Sequence, residues 1–285
     1  MKKKFMFFTV LTSILLVIST YPRINAGVIG ASKPIKQKVK KIDVVGEVIK
    51  AFPLPKVNPQ MITWDGNTLW VTDDETDKLY QLDPAKGKVI FELAIPGLLG
   101  LAEMDICGLT WDGSDLLISD YTTGTIYRVD PQEHSAKVEV KLWELKRGRG
   151  VRSIAMKESR VTGLAWDGTY LWAAFAAGYA SSVYRIDLAS KTLVTHFWAP
   201  GPKPQGLAWD GNCLWIVDGR SQGKIYKFDP KGKWTGTLVH SPAGSPTGLA
   251  FDGKNLWNVD KEKRMIYKIE VLKEEAKRKH IKGEH

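Results

Sequence analysis

Between residues 46 and 271, apolar positions come in short runs separated by Gly, Asp and Pro, with no helical period linking one run to the next. One pattern recurs five times: I-T-W-D-G-N-T-L-W-V-T-D, L-T-W-D-G-S-D-L-L-I-S-D, L-A-W-D-G-T-Y-L-W-A-A-F, L-A-W-D-G-N-C-L-W-I-V-D and L-A-F-D-G-K-N-L-W-N-V-D. The Asp of the aromatic-Asp-Gly triplet falls at Asp65, Asp112, Asp167, Asp210 and Asp252, in steps of 47, 55, 43 and 42 residues. Each unit has an apolar strand ending at W-D-G, a second strand holding L-W, a third written I-Y, L-Y or V-Y, and often D-P before a fourth. Asp-Gly between apolar runs signals a hairpin, because Gly accepts positive φ without steric cost. Pro and Gly mark the third-to-fourth turn at residues 83–87 and 229–232. The pattern predicts an all-β chain, a five-bladed β-propeller of four-stranded antiparallel blades.

The last repeat stops after its third strand, where a charged tail begins. Residues 46–55 resemble the fourth strands at 88–96 and 191–200 and have no blade of their own. They are expected to pair with residues 265–271 and close the ring, leaving no unpaired end. The expected plan is a signal peptide over 1–26, a basic linker over 27–43, the propeller over 44–272 and a charged tail over 273–285.

Eight of the eleven Trp residues fall at two repeat positions: Trp64, Trp111, Trp166 and Trp209 before Asp-Gly, and Trp70, Trp172, Trp215 and Trp257 after Leu. Stacked blades bury both faces, so these rings are expected to pack between neighbouring blades. With 285 residues, 44% hydrophobic and 25% charged, the chain can bury a sizeable core.

Lys2, Lys3 and Lys4 precede an apolar run from Phe5 to Ile18, with Pro22 and Ala26 following. This reads as an export signal cleaved after Ala26, because the run is shorter than the roughly 20 residues of a spanning helix. A secreted, periplasmic or extracellular protein is expected. The formal charge of +10 falls to +6 without the signal, and much of the excess lies in the segments flanking the repeats. That distribution argues against a nucleic-acid partner and allows weak attraction to anionic cell surfaces. A monomer is expected. Cys107 and Cys213 occupy different positions in different repeats, so two free, buried thiols are expected rather than a bridge.

In a propeller, the links between blades and the second-to-third turns share one face, here called the upper face. Entering the first strands there are Gln60, Cys107, Thr162, Gln205 and Thr247, expected to line the channel mouth and contact ligand. At the ends of the second strands stand Asp73, Asp120, Phe175, Asp218 and Asp260. The four carboxylates are candidates for a hard cation, against the simpler role of turn acceptors. Three departures from the repeat point more sharply to function. Glu103 and Asp105 approach the mouth and form a candidate acid-base pair. Arg147, Arg149 and Arg152 sit in the long third link and suit a carboxylate or phosphate. Tyr179 lies in a small-residue turn and offers an apolar contact. The five His residues lack metal-ligand spacing, and no phosphate-binding, dinucleotide or nucleophile-elbow motif is present, so no cofactor is expected.

The repeat G-L-A-W-D-G-x-x-L-W-x-x-D with I-Y and D-P, across residues 46–271, resembles the bacterial and archaeal secreted propellers described as glutamine-cyclotransferase-like. These are related in form to the five-bladed plant-type glutaminyl cyclotransferases. The resemblance implies an acidic residue just before Gly-Leu at a first-strand entrance. The matching positions are Gln60, Cys107, Thr162, Gln205 and Thr247, none of them acidic, and Glu103 is the nearest carboxylate. Two functions are therefore expected in order: a binding module for an extracellular peptide, glycan or protein, and a cyclotransferase forming pyroglutamate with Glu103 or Asp105 as acid-base group.

Overall fold

A computed structural model describes residues 42–44, 46–54, 56–151, 160–177, 181–220 and 223–271. The expected signal peptide, most of the linker and the C-terminal tail lie outside them, as do Arg152 and Tyr179. The described chain is a five-bladed propeller of four-stranded antiparallel blades. Its innermost strands are Pro59–Trp64, Ile106–Trp111, Arg160–Trp166, Pro204–Trp209 and Pro246–Phe251. Each packs beside the next, and the last returns to the first.

The ring closes as the sequence implies. Glu47–Pro53 pairs antiparallel with Met265–Glu270, so the N-terminal strand is the outer strand of the fifth blade. Two short additions were not legible. Ile42–Val44 runs parallel to residues 237–239 and adds an outer strand to blade four. Its first residues lie inside the segment read as a basic linker. Lys146–Arg147 runs parallel to residues 192–193 and adds an outer strand to blade three.

At the axis, the inner strands meet backbone to backbone. A Cβ at Gly206 would lie 2.5 Å from the Thr247 carbonyl oxygen and 2.7 Å from the Leu249 nitrogen. One at Gly248 would lie 2.6 Å from the Ile62 nitrogen, and one at Gly163 would be 3.2 Å from the Gly206 Cα. Below these contacts, the first tryptophan of each W-D-G, or Phe251, rings a cavity of only about 80 Å³.

The lower face shows why W-D-G repeats. Each Asp turns its carboxylate back on its own hairpin: Asp210 Oδ1 accepts the Asn212 and Cys213 amides at 3.0 and 2.7 Å. Asp210 Oδ2 accepts the Trp215 indole N–H at 2.8 Å, which fixes the ring between blades. Asp167 and Asp252 hold Trp172 and Trp257 in the same way. Neighbouring blades then share indole faces, as where Trp172 stacks on Trp209 at 6.3 Å. Both cysteines are free and buried.

Replacing Gly206 by Ala should cost about 1–3 kcal/mol or more, because the methyl group meets backbone that cannot yield. Gly97→Ala, where an added Cβ has nothing within 4 Å, should change stability by less than about 1 kcal/mol. Urea unfolding of the two variants checks the contrast.

Candidate functional site

Each innermost strand carries a register shift where it enters the upper face, and the shifts fall at the residues singled out in the sequence. Cys107, Thr162 and Gln205 are each the extra residue between two paired ones, and Gln60 and Thr247 lie within the corresponding breaks. Bulges re-aim side chains, and these five occupy equivalent positions at one end of the inner strands. What they touch is mostly protein. The Cys107 thiol lies 3.7 Å from both the carbonyl and hydroxyl oxygens of Ser119, and burial pushes it up to about 12, which leaves no thiolate at neutral pH. The Thr162 hydroxyl donates to the Pro204 carbonyl of the next blade. The Gln205 amide fills the space where Gly219 lacks a side chain. Thr247 is 2% exposed, and its hydroxyl has no hydrogen-bond partner.

The second ring is occupied with its own loops. Asp73 accepts the amides of Glu75 and Thr76 through Oδ1 and of Asn58 through Oδ2. Asp120 accepts from Asp105, Thr122 and Thr123, Asp218 from Lys203 and Arg220, and Asp260 from Gly244 and Lys263. Each carboxylate thus ties its second-to-third turn to the link that enters the same blade. Among the described residues, no three His, Cys, Asp or Glu side chains gather as a metal-ligand set.

Arg147 stands on the short outer strand of blade three, at the rim of the disc and away from the mouth, and Arg149 is exposed beyond it. The link instead reaches the upper face through Arg160, whose guanidinium lies 4.1 Å from the Tyr121 ring centroid of blade two.

The strongest departure from the repeat lies between blades one and two. The link there begins with the short helix Ile95–Leu99, started by Pro96 and ended by Gly100 at φ 67°. Ile95 and Met104 are buried in the interface core, and this anchoring leaves Glu103 and Asp105 exposed on either side of Met104. Asp105 joins Asp74 and Asp77, from the second-to-third turn of blade one, around a cleft of about 230 Å³. Asp77 Oδ2 accepts the Met104 amide at 2.9 Å, which ties turn to link. Asp120 approaches from below and accepts the Asp105 amide at 2.9 Å. Among the described residues, one cation enters the group: Lys261 of blade five, 2.5 Å from Asp74.

The crowding raises two carboxyls. Partial burial, then the charges of Asp74 and Asp120, push Asp105 above the ordinary carboxylate range. Partial burial also pushes Asp77 up, against the Met104 amide and with Asp120, Glu103 and Asp74 adding to it. Such a cleft can hold a cationic group or exchange a proton at Asp105. Sequence reasoning found Glu103 and Asp105 but missed Asp74 and Asp77. The signal was the D-D-E-T-D run in a turn that abuts the next link on the same face.

No family model and no curated protein matches the sequence. Among solved structures, the chain is similar to a glutaminyl cyclase of Myxococcus xanthus, at 13% identity and a TM-score of 0.60, covering 82% of this chain and all of that one. It also overlaps the β-propeller domain of Cps50 (Swd1) from Myceliophteria thermophila, at 10% identity and a TM-score of 0.47, over 80% and 100% of the two chains. A chain of a nidogen–laminin complex follows at 12% identity and 0.49, over 75% and 76%. At these identities the likeness to the cyclase is one of fold, a propeller shared over the whole length of that enzyme.

Proposed function

We propose that this chain is an exported binding propeller. Its ligand seat is the upper cleft between blades one and two, and its ligand is a peptide or protein segment presenting an ammonium group, foremost a free N-terminus. The carrying observation is the uncompensated charge there: Asp74, Asp77, Asp105 and Asp120 converge with Lys261 as their one ion-pair partner among the described residues. A bound ammonium would favour the ionised form of Asp77 and Asp105 against the partial burial and the neighbouring charges that raise them. The basic segments flanking the repeats would not compete for such a ligand, because like charges keep them from one that is itself cationic.

A cyclotransferase is the second reading, favoured by the fold shared with a glutaminyl cyclase and by a proton-exchanging carboxyl at Asp105. In that reaction, the α-amine of an N-terminal Gln attacks its own side-chain amide carbon. The carboxyl takes a proton from the amine and returns it to the departing ammonia.

Titrating the protein with a Gln-initiated tripeptide and its N-acetylated twin separates the readings. Binding should weaken about tenfold or more on acetylation, with both peptides unchanged in mass. Equal affinities would remove the cleft as an ammonium seat. Ammonia loss that disappears in Asp105→Asn would replace the binding reading with the enzyme.

The same charges predict opposite pH responses. A raised carboxyl penalises the fold while ionised, so Asp105→Asn should raise the urea midpoint at pH 7. That gain should fade as pH falls through the raised value toward 3.8, where the wild-type carboxyl is protonated. Asp210 is lowered although burial opposes it, chiefly by Lys227 and the Cys213 amide. Asp210→Asn should therefore lower the midpoint at pH 7, with the deficit shrinking as pH falls below 3.8 and through the lowered folded value.

A further inference from the structure

Three blades build one device on the lower face. In blade three, Asp167 pairs with Arg185 at 2.9 Å, and that guanidinium lies 5.3 Å from the Trp172 ring centroid. In blade four, Lys227 is 2.7 Å from Asp210 and 4.9 Å from the Trp215 centroid. In blade five, Lys268 is 2.8 Å from Asp252 and 4.9 Å from Trp257. The cation always comes from the third strand, from the residue paired with the tryptophan of the second.

Blade one keeps the carboxylate and the indole but not the cation. Asp65 Oδ2 accepts the Trp70 indole N–H at 2.8 Å, and the residue paired with Trp70 is Gln81. Gln81 donates to the Thr68 hydroxyl at 2.9 Å, and that hydroxyl donates to Asp65 at 2.6 Å, so a neutral relay stands in place of a charge. Asp65 has no ion pair among the described residues. Although burial opposes it, hydrogen bonds from Thr68, Asn67 and Trp70 hold its carboxyl below the ordinary range, so it is ionised at neutral pH.

Beside this carboxylate lies an open cleft of about 390 Å³, walled by Trp70 and Phe91 of blade one and by Trp111 and Pro131 of blade two. The equivalent space between blades three and four is filled: Trp172 stacks on Trp209, and Phe197 on Phe228 at 5.2 Å. In blade two the residue in the place of Phe228 is the smaller, buried Val129. Phe91 is engaged elsewhere, stacked at 5.5 Å on His134. His134, at φ 49°, takes the place where the D-P turns of blades one and four have Gly87 and Gly232.

We propose that this cleft binds an alkylammonium or guanidinium group, a lysyl or arginyl side chain of a peptide or a small organic amine. The ligand's cation would sit where the protein's own Lys or Arg sits in three sister blades, against Asp65 and among aromatic faces. A carboxylate with converging aromatic rings is the chemistry that holds desolvated cations, and the cleft is of small-ligand size. An anion is excluded by Asp65, and a neutral ligand leaves that charge unanswered. The site lies on the opposite face from the upper cleft and stands without it.

The test follows the indole N–H signals of Trp70 and Trp111 by NMR during titration with N-acetyl-lysine methylamide, N-acetyl-arginine amide, butylamine and neutral N-acetyl-norleucine methylamide. The cationic probes should shift both signals and saturate, and the neutral one should bind about tenfold more weakly or less. Butylamine matching the amino-acid amides assigns the seat to free amines, whereas stronger binding of the amides assigns it to a peptide. Gln81→Lys installs the sister-blade cation and should preserve the thermal midpoint while weakening amine binding about tenfold or more. If that variant fails to fold, Trp111→Leu should weaken the cationic probes alone. Absent shifts, equal affinity for the neutral probe, or wild-type affinity in a folded Gln81→Lys would overturn the proposal.

Discussion

The approach of the five inner strands to one another constrains everything else in this molecule. Gly163, Gly206 and Gly248 let successive strands touch through backbone atoms, and Gly108 makes room for a side chain of the next strand, its missing Cβ being 2.8 Å from the Leu164 Cγ. A strand that gives up its side chain at the axis gains close packing there, and its apolar residues are directed into the wedges between blades. The outcome is a disc with a nearly closed centre. Ligands must then be met at loop clusters on the two faces or in openings between blades, and both candidate clefts are of that kind.

The two faces spend their aspartates differently. On the lower face, the W-D-G carboxylates are neutralised by lysine or arginine in three blades, and Arg128 serves Asp112, Asp115 and Glu139 together in blade two. On the upper face, Asp73, Asp120 and Asp260 accept backbone N–H groups, which quench hydrogen-bonding need but carry no net charge. Carboxylates gather on that face where blade one adds Asp74 and Asp77 and the next link adds Glu103 and Asp105. Repetition marks the carboxylates that hold the fold, and the break in repetition marks those left to act outward.

Much of this was legible from residues. W-D-G, L-W, I-Y and D-P name four strands per blade because each is tied to a local event, a hairpin Gly, an indole anchored by Asp or a Pro-initiated turn. The closing strand was legible because residues 46–55 match fourth strands that have blades of their own. The parallel strands at residues 42–44 and 146–147 were not, since two or three residues carry no period. Arg147 was read as part of a long flexible link for that reason, and edge pairing places it on an outer strand of blade three. Asp77 escaped notice because its partner amide, Met104, is 27 residues away, and only the adjacency of turn and link brings them together.

Both clefts open on the same blade pair. Blade one has Gln81 where three sister blades carry a third-strand cation, blade two has Leu117 where the other blades carry tryptophan, and the link between them holds a helix. The interface is nonetheless held by a continuous apolar wedge, from Ile95 and Met104 at the top through Leu109 and Ile118 to Trp70 at the bottom. Close-packed side chains of this kind resist continuous deformation. A wedge that tolerates openings at both ends while staying filled in the middle lets the repeat diverge here without separating the two blades.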